Sequence, residues 1–162
     1  MAIETKNATL RSNLALGTNQ VRVGPVGPVL VESVVAVAST ASATSVYTMA
    51  RIPSNARIHG ASRLALDDLA SAGAPTLDIG LKAVNSNITT DADALTDGID
   101  AATASAGALV VKDHANNGKM AWEYVSGQAT DPGGFLDVIV SLLDADVNVG
   151  GDVSLLLFYS VD

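Results

Sequence analysis

The chain contains no cysteine, which excludes a disulfide framework, a thiolate zinc site and a cysteine nucleophile together. Aromatic residues are scarce: one Trp, three Tyr and two Phe among 162 residues leave little material for the stacking platform of a sugar-binding cleft. There are only two histidines, His59 and His114, and neither stands at a spacing from acidic or Ser residues that suggests a triad or a metal pair. Positive charge is in deficit, with 9 Lys and Arg against 17 Asp and Glu and a net charge of -8, so the chain has no footprint for phosphate backbones or anionic lipid. Neither nucleic acid nor a membrane surface is expected as a partner. Long apolar runs are missing too: residues 29–38 are broken by Glu32 and Ser33 and fall far below the roughly 18 residues of a membrane span. The opening residues, Met1 to Lys6, are too polar for the apolar core of a secretory signal.

What is present is 48% hydrophobic residues, carried mainly by Ala, Val and Leu, in a chain long enough for one core. Residues 1–29 hold Asn, Thr, Ser and Gly without a sustained period and end in Gly24-Pro25-Val26-Gly27-Pro28. Two prolines that withhold donors and fix φ predict an extended N-terminal arm there. From residue 30 to 162, short apolar stretches separated by turn residues predict an all-β domain, a β-sandwich or jelly roll of about eight antiparallel strands. The candidate strands are 30–38, 45–52, 57–66, 76–83, 108–112, 119–125, 135–143 and 153–161.

Leu77, Ile79 and Leu81 alternate with Asp78 and Lys82, which predicts one core face and one wet face. Residues 135–143 and 153–161 are instead apolar on both faces, as strands are that are covered by the core and by another subunit. Asn117-Gly118 tolerates the positive φ of a tight hairpin and predicts antiparallel strands on either side. One short helix is expected over residues 91–104, where Leu95 and Ile99 stand four apart and Thr90 or Asp91 offers a cap.

Two acidic stretches invite comparison with calcium loops. Asp91, Asp93 and Asp97 alternate, but Leu95 replaces the third ligand and Ala102 stands where the bidentate Glu belongs, so first-turn acids of a helix explain them better. Asp144, Asp146 and Asn148 are better spaced, in a loop where such residues are expected anyway. No metal site, cofactor or catalytic residue is assigned. Charge is uneven along the chain: residues 1–66 carry six basic and two acidic residues, and residues 67–162 carry three basic and fifteen acidic. Either folding interleaves the two halves, or a mildly basic arm docks on an acidic neighbour.

The segment 49–58, Met-Ala-Arg-Ile-Pro-Ser-Asn-Ala-Arg-Ile, resembles a strand, proline turn and strand found in small virion proteins of tailed bacteriophages. Leu66-Asp67-Asp68-Leu69, Thr76 to Leu81 and Asp91 to Leu95 extend the resemblance in the same order, over roughly residues 45–100. Within that group the pattern is similar to head decoration, or cement, proteins. The resemblance implies a non-enzymatic homotrimer on the capsid surface, assembled in the host cytoplasm and bridging major capsid protein subunits. If the arm is the clamp, Lys6, Arg11 and Arg22 are the expected steering charges, with Leu10, Leu14 and Leu16 as apolar anchors. The alternatives are a head-fibre base or head-to-tail connector subunit, and a carbohydrate-binding β-sandwich module that would rest on Trp122 and Tyr124.

Overall fold

A computed structural model describes residues 5–7, 28–84, 88–111, 114–125 and 128–161. The described residues form ten strands: β1 (Thr5–Asn7), β2 (Val29–Val37), β3 (Val46–Pro53), β4 (Ala56–Ile58), β5 (Arg63–Leu66), β6 (Thr76–Ala83), β7 (Asp91–Asp100), β8 (Ser105–Leu109), β9 (Phe135–Leu143) and β10 (Gly151–Val161). A 3-10 turn at His114–Asn116 and a one-turn helix α1 (Ala121–Tyr124) lie between β8 and β9.

The strands make two sheets. Sheet I runs β1-β3-β9-β6-β7, and sheet II runs β2-β10-β5-β8 with β4 also paired to β10. β1 runs parallel to β3, and the other pairings are antiparallel. With β1 and the short β4 set aside, the remaining eight strands numbered in chain order give sheets 2-7-4-5 and 1-8-3-6. That is the double Greek key of a jelly roll. Chain reversals alternate between the layers, so most neighbours in sequence sit in opposite sheets and the inner faces close over one core.

That core follows the period-2 pattern. Val35 and Val37 of β2, Tyr47 and Ile52 of β3, Leu64 and Leu66 of β5, Leu77, Ile79 and Leu81 of β6, the even-numbered residues 136 to 142 of β9, and Val153, Leu155 and Leu157 of β10 are all buried. Each such aliphatic side chain contributes about 1.5–3 kcal/mol on leaving water.

Several expectations need correction. Residues 91–104 contain the strand β7, not a helix. Leu95 and Ile99 are both buried, and a spacing of four satisfies a strand's period of two as well as a helical turn. Register irregularities at Leu77/Ile79 and Ile79/Leu81 break the alternation that would have marked the strand. Residues 119–125 contain α1, not a strand: the Met120 N–H donates to Glu123 Oε2, and the Trp122 N–H donates to the Ser54 carbonyl. Gly118 does have a positive φ of 85°, but Asn117-Gly118 turns from the 3-10 segment into α1 and joins no hairpin. The expected strand 57–66 is two strands, interrupted after Ile58, and 108–112 begins and ends earlier as β8. The face of β6 opposite the core is not wet throughout, because Asp78 is only 5% exposed.

Candidate interaction surface

The outward faces of the two sheets differ in what covers them. On sheet I, the outward residues of β9 are Phe135, Asp137, Ile139, Ser141 and Leu143, and the middle three are buried. Ile139 is only 2% exposed although it lies outside the main core cluster. Beside it in the ladder, Gly80 of β6 has no side chain to offer, and a Cβ there would stand 2.3–2.4 Å from the Asp91 and Ala92 backbone. The start of β7 therefore presses on sheet I at Gly80, and only glycine permits so close an approach.

Across the same face, Arg51 Nε donates to Asp137 Oδ1 at 2.7 Å and its Nη2 to Oδ2 at 3.1 Å, a bidentate pair between neighbouring strands. That hydrogen bond is the main reason the guanidinium is held above its ordinary value, outweighing partial burial.

Sheet II is open. β2 turns Leu30, Glu32, Val34 and Ala36 outward, and the ladder sets them beside Phe158, Leu156, Ser154 and Asp152 of β10. On the other side of β10, Ala65 and Arg63 of β5 stand beside Ser154 and Leu156, and Leu109 of β8 stands beside Arg63. Leu30, Val34 and Leu109 are 44%, 46% and 43% exposed. Leu30, Val34, Leu156 and Phe158 bring apolar groups together on β2 and β10, with Leu109 beyond Arg63 on β8, an exposure of the kind that marks interaction sites. Of the charged members of this face, Glu32 and Arg63 flank Leu156 on opposite sides and Asp152 stands beside Ala36. A second, smaller apolar patch lies at one end of sheet I, where Phe135 and Val84 are exposed and the Val84 N–H donates to the Phe135 carbonyl.

The residues singled out in the sequence distribute as follows. Lys6 falls in β1, at the register of Tyr47; Leu10, Arg11, Leu14, Leu16 and Arg22 lie outside the described residues. Asp91, Asp93 and Asp97 sit on the edge strand β7 instead of a loop or helix start. Asp144, Asp146 and Asn148 do not converge on a common point. Asp144 Oδ2 accepts from the Thr76 hydroxyl, Asp146 Oδ1 from the Ala43 N–H and Asn148 Oδ1 from the Ser71 N–H, so each pins a different segment. Among the described residues no group of three His, Asp or Glu side chains is placed to hold a metal ion.

His59 follows β4, its N–H donating to the Phe158 carbonyl, and its Nε2 is buried without a hydrogen-bond partner. His114 begins the 3-10 turn. Trp122 and Tyr124 are on α1, not on one strand face: the Trp122 indole N–H is buried without a partner, and the Tyr124 hydroxyl donates to the Asn116 carbonyl. Burial, and secondarily the Glu123 charge, push the Tyr124 phenol up to about 12. This is the environment of packing groups, not of a sugar-stacking platform.

The outward residues of β2, β5 and β8 were not singled out from the sequence. A signal was available in β2, where Leu30, Val34 and Ala36 fall on the face opposite Val35 and Val37, so that this strand too is apolar on both sides.

The sequence matches no protein-family model and no curated protein. The fold, however, is similar to that of solved chains. One belongs to the capsid asymmetric unit of cyanophage Pam1, with a TM-score of 0.57 and 16% identity over 90% of this chain and 96% of that one. Another belongs to the capsid of Ralstonia phage GP4, with a TM-score of 0.58 and 18% identity over 99% of both chains. At such identities the likeness is one of fold, and it extends over most of this chain and of each of these phage capsid chains.

Proposed function

We propose that the chain is a non-enzymatic structural protein of a bacteriophage virion, and specifically a decoration or cement protein on the head. The observation that carries the reading is coverage. The match to a Ralstonia phage GP4 capsid chain spans 99% of each chain, so the correspondence takes in that capsid chain as a whole and not one part of it. The apolar outer face of sheet II supports it, since a surface of this kind is suited to lasting contact with another protein. In this reading the chain forms a homotrimer on the capsid surface and bridges major capsid protein subunits. The face bearing Leu30, Val34, Leu109 and Phe158 meets a neighbouring protein. The arm residues Lys6, Leu10, Arg11, Leu14, Leu16 and Arg22 reach the shell, the basic ones by steering and the leucines as anchors.

Mass spectrometry and electron microscopy of purified particles test the proposal. A cement protein appears in copies that follow the symmetry of the shell. A single ring at one vertex would favour the connector reading, a position at the root of a projecting fibre the fibre-base reading, and absence from particles would end all three. Deleting residues 1–24 tests the arm: capsid occupancy is expected to fall, and unchanged occupancy would remove those six residues from the contact.

A further inference from the structure

Four residues stand in one row across the open face of sheet II. The ladders place Glu32 of β2 beside Leu156 of β10, Arg63 of β5 on the other side of Leu156, and Leu109 of β8 beyond Arg63. Neighbouring strands lie about 4.8 Å apart, so Glu32 and Arg63 sit at equal distances from Leu156 with opposite charge. Glu32 is exposed and has no ion pair among the described residues. Arg63 Nη1 donates to the Gly60 and Ser62 carbonyls at 2.6 and 2.8 Å, and the aliphatic part of its side chain lies over Gly107. The guanidinium is thus held on this face, with its Nε and Nη2 hydrogens unused among the described residues.

Two such faces can meet about a two-fold axis lying between them in either of two ways. With the axis along the strands, over β10, Leu156 meets its own copy and Glu32 of each chain faces Arg63 of the other. With the axis along the row, across the strands, Glu32 meets Glu32 and Arg63 meets Arg63, and like charges repel. The neighbouring row suits the first arrangement too: Val34 and Ala65 flank Ser154, so each Val34 would face the small Ala65 of the other copy. Asp152, the other charge on the outward side of β10, lies four residues from Leu156. Sheets packed face to face cross by about 30°, which carries its two copies apart.

We propose that the outer face of sheet II takes a second copy of this chain, about a two-fold axis that runs along β10 through Leu156 and sets Glu32 of each copy against Arg63 of the other. The inference names the partner of the face that the virion reading gives to a neighbouring protein, and rests on that reading for treating the face as an interface. A three-fold ring contains no two-fold contact, so in a homotrimer this one joins one trimer to the next.

Cross-linking of the full chain tests the geometry, and the absence of native cysteine makes each introduced thiol unique. Leu156→Cys, on the axis, is expected to give a covalent dimer with a short bis-maleimide. Leu109→Cys is not, although Leu109 is exposed, because its two copies would lie about 20 Å apart across the strands. Dimer at both positions would put the axis across the strands and overturn the proposal, as would dimer at neither. Sedimentation equilibrium reads the charges: Glu32→Arg and Arg63→Glu are each expected to weaken self-association by about tenfold or more, and the double exchange to restore it. Should Arg63→Glu fail to fold, Glu32→Arg and Val34→Arg carry the test, and unchanged association in both would overturn the contact. Particle occupancy scores the virion reading separately. Protein that binds particles while Leu156→Cys stays monomeric in cross-linking overturns the two-fold contact alone, and cross-linked dimer from protein absent from particles overturns that reading alone.

Discussion

β9 and β10 look alike in sequence, each a long strand apolar on both sides, and each lies in the interior of its sheet. Their outward faces meet different fates. Ile139 of β9 is 2% exposed, in a sheet whose own β7 crosses tightly at Gly80, whereas the outward Leu156 and Phe158 of β10 lie only half-buried beside Leu30 and Val34. The same two-sided apolarity thus has two causes. In sheet I it is satisfied within the chain, and in sheet II it remains available to a neighbour. A strand that is greasy on both faces shows that something covers it, and only the three-dimensional arrangement says whether that something is the chain itself.

The sharpest break of this comparison is at Gly80. Gly80→Val places side-chain atoms where the Asp91 and Ala92 backbone runs, and the loss of stability is expected to reach about 3 kcal/mol, near the upper end for overpacking. Urea denaturation measures it. A loss below ~1 kcal/mol would show that β7 does not press on sheet I.

Next in size is a paired test of the two outer faces. Ile139→Ala should cost about 2–4 kcal/mol, as truncation of a buried aliphatic does. Val34→Ser on sheet II should stay within about 0.5 kcal/mol in the isolated protein. Equal losses at the two positions would erase the distinction between a face covered by the chain and a face left open. Particle binding is expected to invert the ranking, with Val34→Ser the more damaging per unit of stability lost.

A loss smaller than that at Ile139 is expected in the segment between β8 and β9. Tyr124→Phe removes the hydrogen bond to the Asn116 carbonyl and should cost about 1 kcal/mol. Because the phenol is raised from 10 to about 12, the unfolded chain ionises first, and stability falls as pH climbs through that interval. Ultraviolet titration should show a late tyrosine transition that disappears in the variant.

Much of the jelly roll was legible because period-2 patterning survives in its central strands. Residues 76–83 and 135–143 coincide with β6 and β9, and 30–38, 45–52 and 153–161 differ from β2, β3 and β10 only at their ends. The edge strand β7 was illegible for a physical reason. Its aspartates suit a strand that must not pair with another sheet as well as they suit a helix start, and its bulged register hides the alternation. Residues 119–125 misled in the opposite way, because Trp122 and Tyr124 favour strands on average while Glu123 reaching back to the Met120 N–H closes a helical turn. Burial of Asp78 could not be read from Thr76-Leu77-Asp78-Ile79, since the strand that covers it comes more than ten residues later. The open face of sheet II was half visible: the apolar excess of 153–161 was evident, but its partners Leu30, Val34 and Leu109 come from β2 and β8, brought together only by the double Greek key.

A cryo-electron microscopy reconstruction of particles carrying this protein tests the account most directly. The expected result is shell-symmetric copies in which ordered protein from a neighbouring subunit lies against Leu30, Val34 and Phe158. Copies that leave that face bare to solvent, with the chain held elsewhere or missing from the head, would contradict it.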